Sequence, residues 1–133
     1  MKVLVVGSGA REHALAWRIR QSPQLTSLWV AGGNAGTSQV ATNLKVNPED
    51  IDAVAACALS LKADLVVVGP EVPLALGLVD LLTRQGVPAF GPAKAAAQLE
   101  ASKGFALELM REAAVPCPDF HVFHHQADAL SFL

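Results

Sequence analysis

Apolar positions along the chain follow two rhythms. Short, nearly continuous apolar runs occur at Lys2 to Val6, Leu28 to Ala31, Leu65 to Val68 and Val87 to Phe90, with a weaker one at Leu44 to Val46. A run without polar alternation reads as a strand buried on both faces, as in a parallel sheet. Between the runs lie stretches of helical period. The first extends from about Ala10 to Gln21 and is stopped by Pro23. Leu15 and Ile19 fall on one side of it and Ala10, Ala14 and Trp17 on another, which predicts burial on more than one side. Asn47-Pro48-Glu49-Asp50 reads as the next helix start, with Asn as cap, Pro in the first turn and carboxylates at the positive end of the dipole. Ile51, Val54, Ala55, Ala58 and Leu59 form its core stripe. Pro73 opens a third helix with the stripe Leu74, Leu78, Leu81 and Leu82, and Gly86 ends it. A further helix is expected from Ser102 to Ala114. The last residues, Asp128 to Leu133, read as a helix still in progress, without a Gly stop or a basic last turn. This predicts the amino-terminal part of a longer polypeptide.

Strand–helix alternation of this kind predicts an α/β fold: a Rossmann-like parallel sheet with right-handed crossovers and helices on both faces. Such sheets bind ligands beyond the carboxyl ends of their strands. Three loops are thereby singled out, those after the first, second and fourth strands.

Composition narrows the class. Ten Lys and Arg against twelve Asp and Glu give a net charge of −2 with no run of one sign, which argues against nucleic acid or an anionic membrane as partner. Apolar residues are 52% and charged residues 17%, which excludes disorder. Aromatics are 5% and Tyr is absent, so the core is built from Ala, Val and Leu. Cys57 and Cys117 cannot make a disulfide framework and read as reduced thiols in a cytoplasmic protein. The opening apolar run is too short for a signal peptide, and no stretch approaches the ~20 apolar residues of a membrane span.

The loop after the first strand is Gly7-Ser8-Gly9-Ala10-Arg11-Glu12-His13. Two glycines between strand and helix let the backbone approach a phosphate at a helix amino terminus. The dinucleotide fingerprint requires a third Gly where Glu12 stands, and an acidic residue at the end of the second strand, where Val30 to Asn34 has none. A mononucleotide or sugar phosphate is the better expectation. The second loop, Gly32-Gly33-Asn34-Ala35-Gly36-Thr37, offers an amide, a hydroxyl and backbone donors to such oxygens. The third, Gly69-Pro70-Glu71-Val72-Pro73, holds a carboxylate between two prolines. It either accepts from ribose hydroxyls or an amine, or caps the dipole of a helix start. His13 reads as a packing or capping histidine. His121, His124 and His125 lack partners at metal-ligand spacing. Neither Ser8 nor Ser102 sits in a nucleophile elbow.

Together these motifs resemble the phosphoribosylamine–glycine ligase family of purine biosynthesis. Val3 to Ala14 resembles its opening, Gly33 to Thr37 its second motif, Val67 to Leu74 its third, and Phe90-Gly91-Pro92 with Ala96 to Glu100 and Ser102-Lys103 its fourth. The resemblance covers residues 1–120. It implies a pre-ATP-grasp domain over residues 1–100 and the beginning of an ATP-grasp region over 101–133. The implied activity is an ATP-dependent ligase that uses magnesium or manganese. It joins 5-phosphoribosylamine and glycine through a glycyl phosphate to give glycinamide ribonucleotide, ADP and phosphate.

By the same resemblance Gly9, Ala10, Arg11, Glu12, Asn34, Gly36 and Thr37 line the phosphoribosyl site, with Glu71 near the ribose or its amine. Lys103 reaches nucleotide phosphates. The adenine pocket, metal carboxylates and glycine site would lie outside these residues, so no catalytic residue, cofactor or metal site is expected here, and the chain alone is not expected to turn over. The sequence departs from the family at Ala10, where Gly is usual, and at Cys117, where Thr is. A methyl at position 10 either crowds a phosphate or favours the helix. The competing readings are a nicotinamide-binding oxidoreductase domain, another ATP-grasp ligase of the biotin carboxylase or formate-using type, and a non-catalytic sugar-phosphate regulator.

Overall fold

The computed structural model describes residues 1–133, which divide into two compact units, Met1–Ala97 and Gln98–Leu133. The first unit is built on five strands: β1 (Lys2–Gly7), β2 (Ser27–Gly32), β3 (Thr42–Leu44), β4 (Leu65–Val68) and β5 (Ala89–Phe90). All pair in parallel, in the order β3-β2-β1-β4-β5. Helices α1 (Ala10–Arg20), α2 (Ile51–Leu61), α3 (Glu71–Leu76) and α4 (Leu78–Arg84) connect them, and α5 (Lys94–Ala101) contains the division between the units.

The apolar runs are continuous because alternate residues feed two cores. Val3 and Val5 of β1, with Leu28, Val30 and Val67, pack on Ala16, Leu15 and Ile19 of α1. Leu4 and Val6, with Ala31, Val66 and Val68, pack on Val54, Ala55 and Ala58 of α2 and on Leu74, Leu78 and Leu82. Helices therefore cover both faces of the sheet, and β1 is buried from Val3 to Gly7.

Several sequence expectations are corrected. Helix α1 buries one face only: Trp17 is 56% exposed, and Ala10 and Ala14 are also exposed. The third strand lies at Thr42–Leu44, not Leu44 to Val46, because an edge strand is defined by its backbone pairing to Trp29–Ala31 rather than by apolar side chains. The cap of α2 is Asp50, whose Oδ1 accepts from Ala53 N at 3.0 Å, while Asn47 Oδ1 closes a turn on Glu49 N at 3.1 Å. Leu59 of its stripe is 46% exposed. The third helix starts at Glu71 rather than Pro73 and is split, since Gly77 at φ +100° ends α3 before α4 begins. Leu74, Leu78 and Leu82 are nevertheless all buried, and Leu81 is partly buried. The fifth strand shortens to Ala89–Phe90, with Pro88 O accepting from Val66 N at 2.9 Å.

The second unit contains α6 (Lys103–Glu112) and α7 (Gln126–Phe132). Ser102 caps α6 by accepting from Phe105 N at 3.3 Å. Arg111 lies 4.1 Å over the Phe120 ring and donates to Phe120 O at 3.2 Å. No residue of this unit is buried.

The two-faced core makes a testable contrast. Leu82→Ala, at a fully buried position, is expected to cost about 2–5 kcal/mol in urea unfolding. Leu59→Ala should cost no more than about 0.5 kcal/mol. Equal losses would contradict the burial pattern.

Candidate functional site

The strand order reverses between β1 and β4, because the chain builds outward through β2 and β3 before returning to the other side. That reversal leaves a crevice at the carboxyl ends of the two central strands. Two adjoining clefts lie there. One, of about 320 Å³, is lined by Gly7-Ser8, Asn47-Pro48-Glu49 and Pro70 to Pro73. The other, of about 270 Å³, is lined by Gly9 to Glu12 with Pro70 and Glu71. Pro70 and Glu71 border both.

Glu12 turns inward. It is 3% exposed, and its Oε2 accepts from Gly9 N at 2.6 Å, the return half of a capping box at the start of α1. Gly7, at φ +128°, has no room for a side chain: a Cβ there would lie 2.6 Å from Glu12 Cγ and 2.9 Å from Pro70 Cδ. Gly9 therefore lies on the cleft wall with its N–H already taken. The N–H groups of Ala10 and Arg11, in the first turn, have no intrahelical acceptor by the geometry of any helix start.

Asn34 joins the first two loops. Its Nδ2 donates to Ser8 O at 3.0 Å and Gly9 O at 3.1 Å, and its Oδ1 accepts from Gly36 N at 2.8 Å and Thr37 N at 3.0 Å. The Thr37 hydroxyl, wholly buried, accepts from Asn34 N at 2.7 Å and faces Asn43 Oδ1 at 2.8 Å. Asn43 Nδ2 donates in turn to Asn34 O at 2.9 Å. The side chains of Asn34 and Thr37 thus hold the loops, and neither is free to turn outward without breaking these bonds. Gly36 is small because the His13 ring covers it: a Cβ would stand 2.5 Å from the ring.

Arg11 and Ala10 are exposed on the cleft, and Arg11 uses one guanidinium N–H to reach Gly69 O at 2.7 Å. Glu71, half-buried, is the first residue of α3. The helix-start placement weighed for this carboxylate is the one observed, and it borders the clefts as well. Lys103 lies in the other unit, exposed at the first turn of α6, beside a cleft of about 480 Å³ formed with Leu107 and Phe120 to Phe123. His121 packs against Phe123 and Phe132, and no three His, Cys, Asp or Glu side chains come together to hold a metal ion.

Sequence reasoning missed Asn43, Asn47, Pro48 and Glu49. Asn43 carries a signal, as a polar residue inside a strand. The other three were legible only as a helix start, and the register of β3 brings them to the cleft.

A family model described as phosphoribosylglycinamide synthetase, N domain, matches residues 1–100. The chain belongs to this family. The phosphoribosylamine–glycine ligase of Rhodopirellula baltica is 50% identical over 131 residues, covering 98% of this chain and 30% of its own length. That of Nostoc is 47% identical over 135 residues, covering all of this chain and 32% of its own length. The chain thus spans about a third of the curated relatives it matches. A crystal structure of phosphoribosylamine–glycine ligase from Thermotoga maritima matches with a TM-score of 0.63 at 26% identity, over 91% of this chain and 27% of that one. The biotin carboxylase domain of a single-chain bacterial carboxylase matches with a TM-score of 0.69 at 17% identity, over 99% of this chain and 34% of that one, a likeness of fold alone. Membership of the synthetase N-domain family sets aside the nicotinamide oxidoreductase reading.

If Asn34 is the clip of this N domain, Asn34→Asp removes two donors and places a carboxylate against two carbonyls. The expected loss is about 1–3 kcal/mol. In amide NMR spectra it should move Ser8 and Gly9 as well as Gly36 and Thr37. Changes confined to Asn34 and its sequence neighbours would show that the loops are independent.

Proposed function

We propose that this chain supplies the phosphoribosylamine-docking domain of an ATP-dependent ligase of purine biosynthesis, which joins 5-phosphoribosylamine to glycine to give glycinamide ribonucleotide, ADP and phosphate. The observation that carries the reading is the cleft shared by Arg11, the open first turn of α1 and Glu71, in a chain of the synthetase N-domain family. A phosphate monoester dianion suits the Ala10 and Arg11 N–H groups at the positive end of α1 and the Arg11 guanidinium. Glu71 can accept from ribose hydroxyls or from the amine that must be positioned to attack. Gly9, Ala10 and Glu12 shape the wall, and Asn34, Gly36 and Thr37 hold it in place.

Residues 1–100 are read as the substrate domain and 101–133 as the opening of an ATP-grasp region, in which Lys103 reaches nucleotide phosphates. ATP with magnesium or manganese would supply the activation of the glycine carboxylate in the whole ligase. The donor groups present do not form a metal site, so no step through the metal is assigned to these residues. The free thiols of Cys57 and Cys117 suit a cytoplasmic enzyme, and no helix is long and apolar enough to cross a membrane. The partners are small molecules rather than nucleic acid or membrane.

Titration with glycinamide ribonucleotide, followed by backbone amide NMR, tests the reading. Shifts are expected at Gly9 to Glu12, Asn34 to Thr37 and Glu71, and weaker ones with ribose 5-phosphate. Arg11→Ala should weaken binding about 10–100-fold, the worth of one charge-assisted contact. Arg11→Lys should recover part of it. Shifts with a reduced nicotinamide cofactor alone would overturn the proposal.

A further inference from the structure

The glycines of the β1–α1 turn surround an anion that belongs to the chain itself. Besides Gly7, a Cβ at Gly9 would lie 2.9 Å from Glu12 Oε2, and one at Gly69 would collide with Glu12 Oε1. Three backbone positions, at the ends of two strands and the start of a helix, lack side chains where the Glu12 side chain runs. In a dinucleotide-binding turn the glycines do other things: the second lets the backbone approach the pyrophosphate, and the third brings the helix close to the strand. Here the third position is Glu12. Its carboxylate takes the Gly9 N–H at 2.6 Å.

We propose that Glu12 is the specificity-determining positioning residue of this cleft: an internal carboxylate that fills the turn, withdraws the Gly9 N–H from ligands, and so admits a single phosphate group while rejecting the pyrophosphate of a dinucleotide. Two terms act together. The bridging diphosphate loses a backbone donor it would need, and the space the turn would give it is filled by the Glu12 side chain. The monophosphate is left with the Ala10 and Arg11 N–H groups and the Arg11 guanidinium. The identity of the retained ligand rests on the phosphoribosyl reading; the rejection of diphosphates does not.

The experiment compares the wild-type chain with Glu12→Gln, which keeps an acceptor for Gly9 N but drops the charge, and Glu12→Gly, which restores the third glycine. Reduced nicotinamide adenine dinucleotide binding is read by fluorescence and glycinamide ribonucleotide binding by amide shifts. Dinucleotide affinity should rise at least about tenfold in Glu12→Gly, which frees the Gly9 N–H and the space, and little in Glu12→Gln, which keeps both occupied. Glycinamide ribonucleotide should bind Glu12→Gln more tightly than Glu12→Gly, because only the former holds the turn. A folded Glu12→Gly with no gain in dinucleotide binding overturns the proposal, as does an equal gain in Glu12→Gln. A gain in dinucleotide binding without ribonucleotide binding by any chain leaves Glu12 its role and defeats the phosphoribosyl reading instead. Should Glu12→Gly fail to fold, hydrogen exchange of the wild-type Gly9 amide serves with Glu12→Gln. That amide should be protected without ligand and unchanged on adding glycinamide ribonucleotide. Free exchange until the ribonucleotide is added would overturn the proposal.

Discussion

A carboxylate taken out of water must be held by donors, and Glu12 meets that requirement at the carboxyl edge of the sheet. It is held by Gly9 N–H and by the positive end of the helix it belongs to. Its side chain passes under the turn only because Gly7, Gly9 and Gly69 carry none. The end of β1, the start of α1 and the end of β4 are thereby fitted around one group. Arg11, the residue before it, closes the same arrangement from outside by reaching Gly69 O. The wall that the two clefts share follows from that fit, since Pro70 and Glu71 come directly after Gly69.

The sheet supplies the rest of the placement. Because β1 is central and its neighbours are β2 and β4, the loops that follow three strands meet although they are far apart in sequence. Asn34 then ties the second loop to the first through two hydrogen bonds and orders its own loop through two more, and Thr37 and Asn43 fasten Asn34. The biotin carboxylase domain shares this architecture at 17% identity. The architecture therefore does not decide the chemistry, and the side chains at the strand ends must.

Much of the fold was legible. The runs at Lys2 to Val6 and Leu65 to Val68 declared themselves because a central parallel strand needs apolar residues on both faces. The errors came where that condition relaxes. β3 is an edge strand that carries Thr42 and Asn43, so an apolar run placed it two residues late. The α3–α4 break depends on a left-handed Gly77, which the unbroken stripe Leu74, Leu78, Leu82 concealed. Trp17 and Leu59 were placed inside by type and period, yet the small residues Ala16 and Ala58 are the ones that fit against the sheet.

The candidate site divides in the same way. Residue order alone picked out the three strand-end loops, because ligand crevices in parallel sheets follow from connectivity, and the motifs Gly7 to His13, Asn34 to Thr37 and Gly69 to Glu71 were plain in the chain. Which side chains take partners within the protein and which border the clefts was in large part a matter of packing. Part of the answer is local, since Glu12 accepts from Gly9 N three residues away and Asn34 Oδ1 accepts from Gly36 and Thr37 N. The rest comes from tertiary contact: β4 lays Gly69 against Glu12, Asn34 reaches Ser8 and Gly9, and β3 lays Asn43 beside Thr37. Those contacts join segments that no local pattern relates, and burial then obliges each polar group to take a partner from within the protein.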